Sequence, residues 1–263
     1  MTLDDIVAKV TDPYDRQARL YPALFCLLPL LALVALLYAP NVPVLTRVVT
    51  LAVSCGGLFL MTNICREMGK RLEERLYREW GGKPTTQLLR HRDGVIDSLT
   101  KRRYHSFLAA QINATFPDAE QEKSDPEKAD EAYQSGARWL LDHTRSDGGK
   151  KFDLLFRDNV TYGFRRNALG AKPLAIVIAT TCLVWVLAKE HVLSGAGGKI
   201  VDWLVLGQLS HGAVASLTVS GVMLLVWLFF FTKTSLRTCA FSFAETLLRT
   251  CDTLQGICLS ERR

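Results

Sequence analysis

Four apolar stretches divide this chain in a two-plus-two pattern: Tyr21 to Tyr38 and Val48 to Cys65, then Pro173 to Ala188 and Ala213 to Thr232. Each is about as long as an α-helix must be to cross roughly 30 Å of hydrocarbon at about 1.5 Å per residue. The pattern predicts an all-α membrane protein with two transmembrane hairpins, residues 21–65 and 173–232. Around them lie an N-terminal segment (1–20), a helical domain between the pairs (66–172) and a helical tail (233–263). The third stretch is the shortest, with Lys189 and Glu190 following at once, and it gains length through Ala171 and Lys172 if the lysine snorkels. A soluble protein of 263 residues has too little other apolar surface to cover all four stretches. Asp4, Asp5, Asp12 and Asp15 precede the first stretch and no small-residue cleavage pattern follows Tyr38, so a cleaved signal peptide is not expected.

Orientation follows from the basic residues. Residues 66–172 carry 21 of the 32 Lys and Arg, whereas the two short connections hold only Arg47, Lys189 and Lys199. By the positive-inside bias, the central segment and both termini are expected on the cytoplasmic side of a bacterial inner membrane.

Past Cys65, Met68, Leu72 and Leu76 continue a helical spacing that Gly81-Gly82-Lys83-Pro84 should end. Thr85 or Thr86 is then expected to cap a helix carrying Leu88 and Leu89, and Val95, Ile96 and Leu99 lead into Tyr104, Phe107 and Leu108. Residues 113–130 are acidic and interrupted by Pro117 and Pro126, and read as an exposed loop. Ala129, Ala132, Tyr133 and Trp139 to Leu141 mark a further helix, ended by Asp147-Gly148-Gly149. Phe152, Leu155 and Phe156 open another, expected to run through Tyr162 and Phe164 towards the third stretch. In the tail, Leu236, Phe243, Leu247, Leu254 and Ile257 form an apolar stripe that should pack on its own domain or on a neighbouring subunit.

The chain carries no Gly-rich phosphate loop, Gly-x-Ser-x-Gly elbow or His-Glu-x-x-His pair, and its seven cysteines lack metal or redox spacing. No catalysis, cofactor or metal is expected. What stands out is positive charge beside aromatic rings: Arg90-His91-Arg92, Lys101-Arg102-Arg103-Tyr104-His105, and Arg165-Arg166 after Tyr162-Gly163-Phe164. Guanidinium groups grip phosphates in a fork and aromatic faces stack bases, a mixture suited to a nucleotide or short single strand. A solvated helix face explains Lys101 to His105 equally well, and anionic lipid heads explain Arg165, Arg166 and Lys172 better. Residues 66–172 hold 21 cations against 17 anions, an excess too small to favour duplex DNA.

Thr46, Thr50, Ser54 and Gly57 recur on one face of the second stretch, as do Gly212, Ser216 and Ser220 on the fourth. Small and hydroxyl residues on a face mark close helix packing or, in an oligomer, the lining of a polar path. The pore-lining candidates are therefore Thr46, Thr50, Ser54, Ser216 and Ser220. Ionisable groups are missing from the stretch centres, which disfavours coupled transport.

The two-plus-two arrangement, the basic clusters Arg90 to Arg92 and Lys101 to His105 in the helical insert, and the tail resemble the Hailong-type (HalB-like) membrane effectors that bacteria pair with a nucleotidyltransferase in anti-phage defence. That resemblance is architectural and covers most of the chain. It implies a homotetrameric ion channel, opened by a single-stranded oligodeoxyadenylate second messenger made by the partner enzyme, that depolarises the membrane and aborts infection. Two other classes compete with it. One is a membrane scaffold that docks a soluble protein through the acidic segment and C-terminal helix. The other is a lipid-modifying enzyme, for which Asn63 and Glu67 are the only polar pair near a span end.

Overall fold

The computed structural model describes residues 13–38, 44–145, 151–193 and 207–260, and side chains for these outside 44–54 and 257–260. Every element among them is a helix: α1 (Asp15–Leu37), α2 (Val44–Glu79), α3 (Pro84–Leu89), α4 (Ser98–Ile112), α5 (Ala119–Ser124), α6 (Pro126–Thr144), α7 (Asp153–Lys189), α8 (His211–Phe229) and α9 (Lys233–Ser260). They form two compact units. Unit 1 holds the described residues up to Leu72 and in Gly163–Leu236, and unit 2 holds those of Glu73–Tyr162 and from Arg237 onward.

In unit 1, α1, α7 and α8 are long and apolar enough to cross a membrane. Only 33%, 28% and 28% of their apolar windows are buried within the protein. Leu30, Val177, Val184, Val222, Leu225 and Phe229 are among the side chains left exposed. Apolar surface on that scale needs lipid or another chain to cover it, and three helices of this length and composition suggest a membrane protein. The stretch Val48 to Cys65 lies on α2, and the side chains of its first residues, through Ser54, are outside those described.

The third stretch is part of a longer helix than Pro173 to Ala188, because α7 runs unbroken from Asp153 and contains Pro173. Its apolar part is bracketed by two lysines with defined partners. Lys172 Nζ donates to the carbonyls of Leu228 and Phe231, both at 3.0 Å, placing a cation where α8 leaves its last carbonyls unpaired. Lys189 lies 4.2 Å from the Tyr38 ring centroid, and the Tyr38 hydroxyl accepts from Trp185 Nε1 at 2.9 Å. Lys172 to Lys189 spans about 25 Å of helix, close to the thickness of the hydrocarbon core, and aromatic and basic groups at its end fit an interface.

Unit 1 closes where α2 and α7 cross. A Cβ on Gly170 would lie 2.4 Å from the Gly69 amide nitrogen and 2.6 Å from its Cα, and one on Gly69 would lie 2.9 Å from the Asn167 Cα. The two backbones meet with no room for a side chain. Beside the crossing, fully buried Asn167 donates from Nδ2 to the Ala18 carbonyl at 2.7 Å, tying α7 to α1.

Unit 2 gathers around Leu88, Leu89, Leu108, Tyr133, Leu140, Leu247 and Leu248. The tail packs on its own domain: of the expected stripe, Leu247 is buried in that core and Phe243 and Leu254 pack against it, Leu236 belongs to unit 1 and the side chain of Ile257 lies outside those described, while Ala244, Leu248 and Cys251 are also buried there. As the sequence predicts, α2 stops at the diglycine, with φ of 82° at Gly81 and 128° at Gly82. Neither Thr85 nor Thr86 caps α3. Lys83 occupies the cap position, Pro84 fills the first turn where its missing N–H costs nothing, and Thr86 is buried.

The expected loop over 113–130 is largely helical. Asp118 and Gln121 form a reciprocal capping box that opens α5, and Asp125 accepts from Lys128 N while Pro126 opens α6. The prolines that suggested irregular chain are thus a connector, Pro117, and a helix start, Pro126.

Because the clash at Gly170 is with backbone, Gly170→Ala should lower the thermal unfolding midpoint of the detergent-solubilised protein, at about 1–3 kcal/mol for overpacking. Gly221→Ala, with nothing within 4 Å of the added carbon, should leave it unchanged.

Candidate anion-binding site

Helical periodicity splits the basic cluster of α4 between two faces. Lys101, Tyr104, His105 and Leu108 point inward, whereas Arg102, Arg103 and Ser106 point outward.

The inward face clamps the segment that joins α3 to α4. Lys101, 4% exposed, donates from Nζ to the carbonyls of Arg90 at 2.7 Å and Asp93 at 2.6 Å. Burial lowers its pKa, opposed by the charges of Asp93 and Glu122. His105 donates from Nε2 to the Leu89 carbonyl at 2.8 Å and stacks on Tyr133, with ring centroids 5.4 Å apart. Arg90 forms a two-toothed pair with Asp130 on α6, at 2.8 and 2.5 Å.

Glu122 on α5 sits behind this segment, buried, accepting from the His91 amide at 2.7 Å and the Tyr133 hydroxyl at 2.8 Å. Burial alone would raise the pKa of its carboxyl, but those two donors, together with the Arg92 backbone amide and the charge of His91, outweigh it and the carboxyl titrates below its usual range. His91 donates its ring Nε2–H to the Pro117 carbonyl at 3.0 Å. Arg92 is exposed, with Nε 4.0 Å from Glu122.

Arg90, Lys101 and His105 are therefore committed to internal partners, and Tyr104 is buried with its hydroxyl 3.2 Å from Asp252 on α9. The exposed guanidinium groups of the cluster lie on the outward face instead. Arg102, Arg103, Ser106, Phe107 and Leu99 line an open groove of about 460 Å³, with Gln255 of α9 also in its lining. Arg103 is held there by Asp252, at 2.8 Å from Nε and 3.2 Å from Nη2.

Arg165 and Arg166 belong to unit 1 and do not join this groove. Arg165 donates to the Ser235 hydroxyl and lies 5.3 Å from the Phe230 ring centroid, and Arg166 donates to Asn167 Oδ1 at 3.2 Å.

Of the pore-lining candidates, Ser216 and Ser220 are fully buried between helices of unit 1. Their hydroxyls have no hydrogen-bond partner among the described residues, and small residues on a helix face permit close packing. The side chains of Thr46, Thr50 and Ser54 lie outside the described residues. Asn63 donates to the Phe59 carbonyl at 3.1 Å and Glu67 pairs with Arg71 at 2.5 Å, so each of these polar groups has a partner on its own helix.

Glu73 and Tyr77, which the sequence did not single out, form a second polar cluster in unit 2 with Tyr162. Glu73 accepts from the Tyr77 hydroxyl at 3.0 Å and from the Tyr162 hydroxyl, and Tyr162 stacks on Phe243 of α9. The signal available was Glu73-x-x-x-Tyr77, one face of a helix already read as continuing past Cys65. No protein-family model, curated protein or solved structure matches the chain.

The clamp makes unit 2 sensitive to acid. Burial, with His91 and Lys101 nearby, lowers the pKa of His105 to about 4 from 6.5, while its contact with Leu89 and the charge of Glu122 oppose the shift. Tyr133 and Phe116 cover the remaining ring faces. The unfolded chain takes up this proton first as pH falls, so stability is lost from about pH 6.5 down to about pH 4, by about 3 kcal/mol from this group. Glu122 adds to the loss once pH falls through its own range. Tryptophan fluorescence during urea unfolding should show the decline, and His105→Gln should flatten its upper part. Lys101→Met, which strips the donor from two carbonyls, should cost about 1–3 kcal/mol in the same assay at pH 7.

Proposed function

We propose that this chain is the subunit of an oligomeric, ligand-gated ion channel, a Hailong-type effector of nucleotide-signalled anti-phage defence. In this reading it crosses the bacterial inner membrane four times, with both termini cytoplasmic. A short oligodeoxyadenylate, made by a partner nucleotidyltransferase, binds the helical unit and opens a homotetrameric pore that depolarises the cell.

One observation carries the reading. The helices α2 and α7 each contribute residues both to the apolar unit and to the charged one. A ligand held on unit 2 therefore acts on chain segments that continue, without a break in helix, into the stretches read as spans. The physical requirement is a ligand that binds the open state better than the closed one. Within unit 2 the outward face of α4 supplies exposed guanidinium groups to receive it.

A docking scaffold is favoured by one different observation: Val95 and Leu99 are 64% and 71% exposed on the unit outside the apolar helices. Large apolar side chains in that position suit a protein partner.

Reconstitution separates the two. Purified protein in liposomes should pass ions when short oligodeoxyadenylates are added and stay closed without them. Electrically silent membranes, together with a stoichiometric soluble protein recovered on the native chain through Val95 and Leu99, would establish the scaffold instead.

A further inference from the structure

As a refinement of the ligand-gated reading, we propose that the groove between α4 and α9 binds phosphoryl groups, and that Asp252 competes with the ligand for Arg103. The ligand would enter with the C-terminal end of α9 giving way.

The groove carries two guanidinium groups on adjacent residues, Arg102 and Arg103, with the Gln255 amide opposite and Phe107 in its wall. Arg102 is exposed and has no carboxylate partner among the described residues. Arg103 presents one edge, Nε and Nη2, to the Asp252 carboxylate. That pairing is a bidentate mimic of what a phosphate would make. A phosphate approaching the remaining edge of Arg103 would sit beside Asp252, and the two anions repel.

The tie that Asp252 makes to Arg103 is a weak one. The side chains of Arg103 and Asp252 are 50% and 46% exposed, and ion pairs this wet hold weakly. A phosphate that spans Arg102 and Arg103 gains a second cation that Asp252 does not contact. Once displaced, Asp252 keeps only the Tyr104 hydroxyl on α4, and the last turns of α9 lose their ionic tie to that helix. Upstream, α9 stays attached through Thr246, which donates to Asp158 at 2.6 Å, so any loosening is confined to the end of the helix.

The test uses the full chain in detergent, titrated by calorimetry with a single-stranded hexanucleotide and, separately, with inorganic pyrophosphate. Asp252→Asn should tighten binding about two- to fivefold, the range an exposed ion pair commands. Replacing Arg102 and Arg103 together by Ala should weaken it at least tenfold while helical circular dichroism is unchanged. Amide hydrogen exchange over residues 253–260 should rise on ligand addition.

Binding of the hexanucleotide alone identifies a nucleotide ligand, and equal binding of pyrophosphate identifies a free phosphate. Either supports the site. Binding of neither, binding indifferent to the double substitution, or an Asp252→Asn protein that binds more weakly overturns it. Ion flux measured in parallel keeps the two readings apart. Binding without flux removes the channel and leaves the site, and ligand-driven flux that survives the double substitution does the reverse.

Discussion

The backbone contact between Gly69 and Gly170 is the constraint on which unit 1 turns. Apolar helices in a membrane gain little from burying apolar surface against each other, because lipid offers the same environment. What holds them is close packing and the few polar bonds that packing permits. Here both occur at one crossing: two glycines let α2 touch α7, and Asn167 ties α7 to α1 through the Ala18 carbonyl. Lys172 then secures the end of α8 against α7 by occupying its last carbonyls. Three helices are thus fixed to α7 by contacts that a greasy surface alone would not specify.

Unit 2 adds a buried polar clamp to its leucine core: a lysine, a histidine, an arginine and a glutamate, each matched to a partner. Removing such groups from water costs several kcal/mol per ion unless the partners are well placed. The chain meets that cost by taking the carbonyls and amides of the segment between α3 and α4 as partners. Those backbone groups lack helical hydrogen bonds of their own, so one set of contacts satisfies both sides. This explains how a short irregular segment is held between two helices with few apolar residues of its own.

Much of the architecture was legible in the sequence because it follows from hydrophobic runs and helix punctuation. The extension of α2 to the diglycine, the run of α7 into the third stretch and the packing of the tail all rest on such signals. The segment 113–130 was misread because acidic composition outweighed local chemistry. Asp118 with Gln121, and Asp125 ahead of Pro126, are helix-start signatures within it. The basic cluster was read as one surface for a different reason. Residues adjacent in sequence lie about 100° apart on a helix, so Lys101 to His105 cannot all face one ligand. The Gly69–Gly170 crossing gave no comparable sign, because which two glycines meet is a tertiary fact.

Sorting the cations by their partners decides where ligand chemistry can occur. Lys101, Arg90 and His105 hold up the fold, and displacing any of them would unpair buried backbone or carboxylate groups. Arg165 and Lys172 are spent on unit 1. Arg102 and Arg103 differ because their environment is wet and their commitments are weak, so a new anion can be exchanged for the old one at little structural cost. A site that must empty and refill needs groups of that kind. Deep burial makes a charge strong in place and useless for exchange, whereas full exposure leaves it screened and unspecific. The outward face of α4, walled by Phe107 and bounded by α9, lies between these limits. On that face Asp252 holds Arg103 through an exposed pair, at 2.8 and 3.2 Å, which the proposed ligand would have to displace.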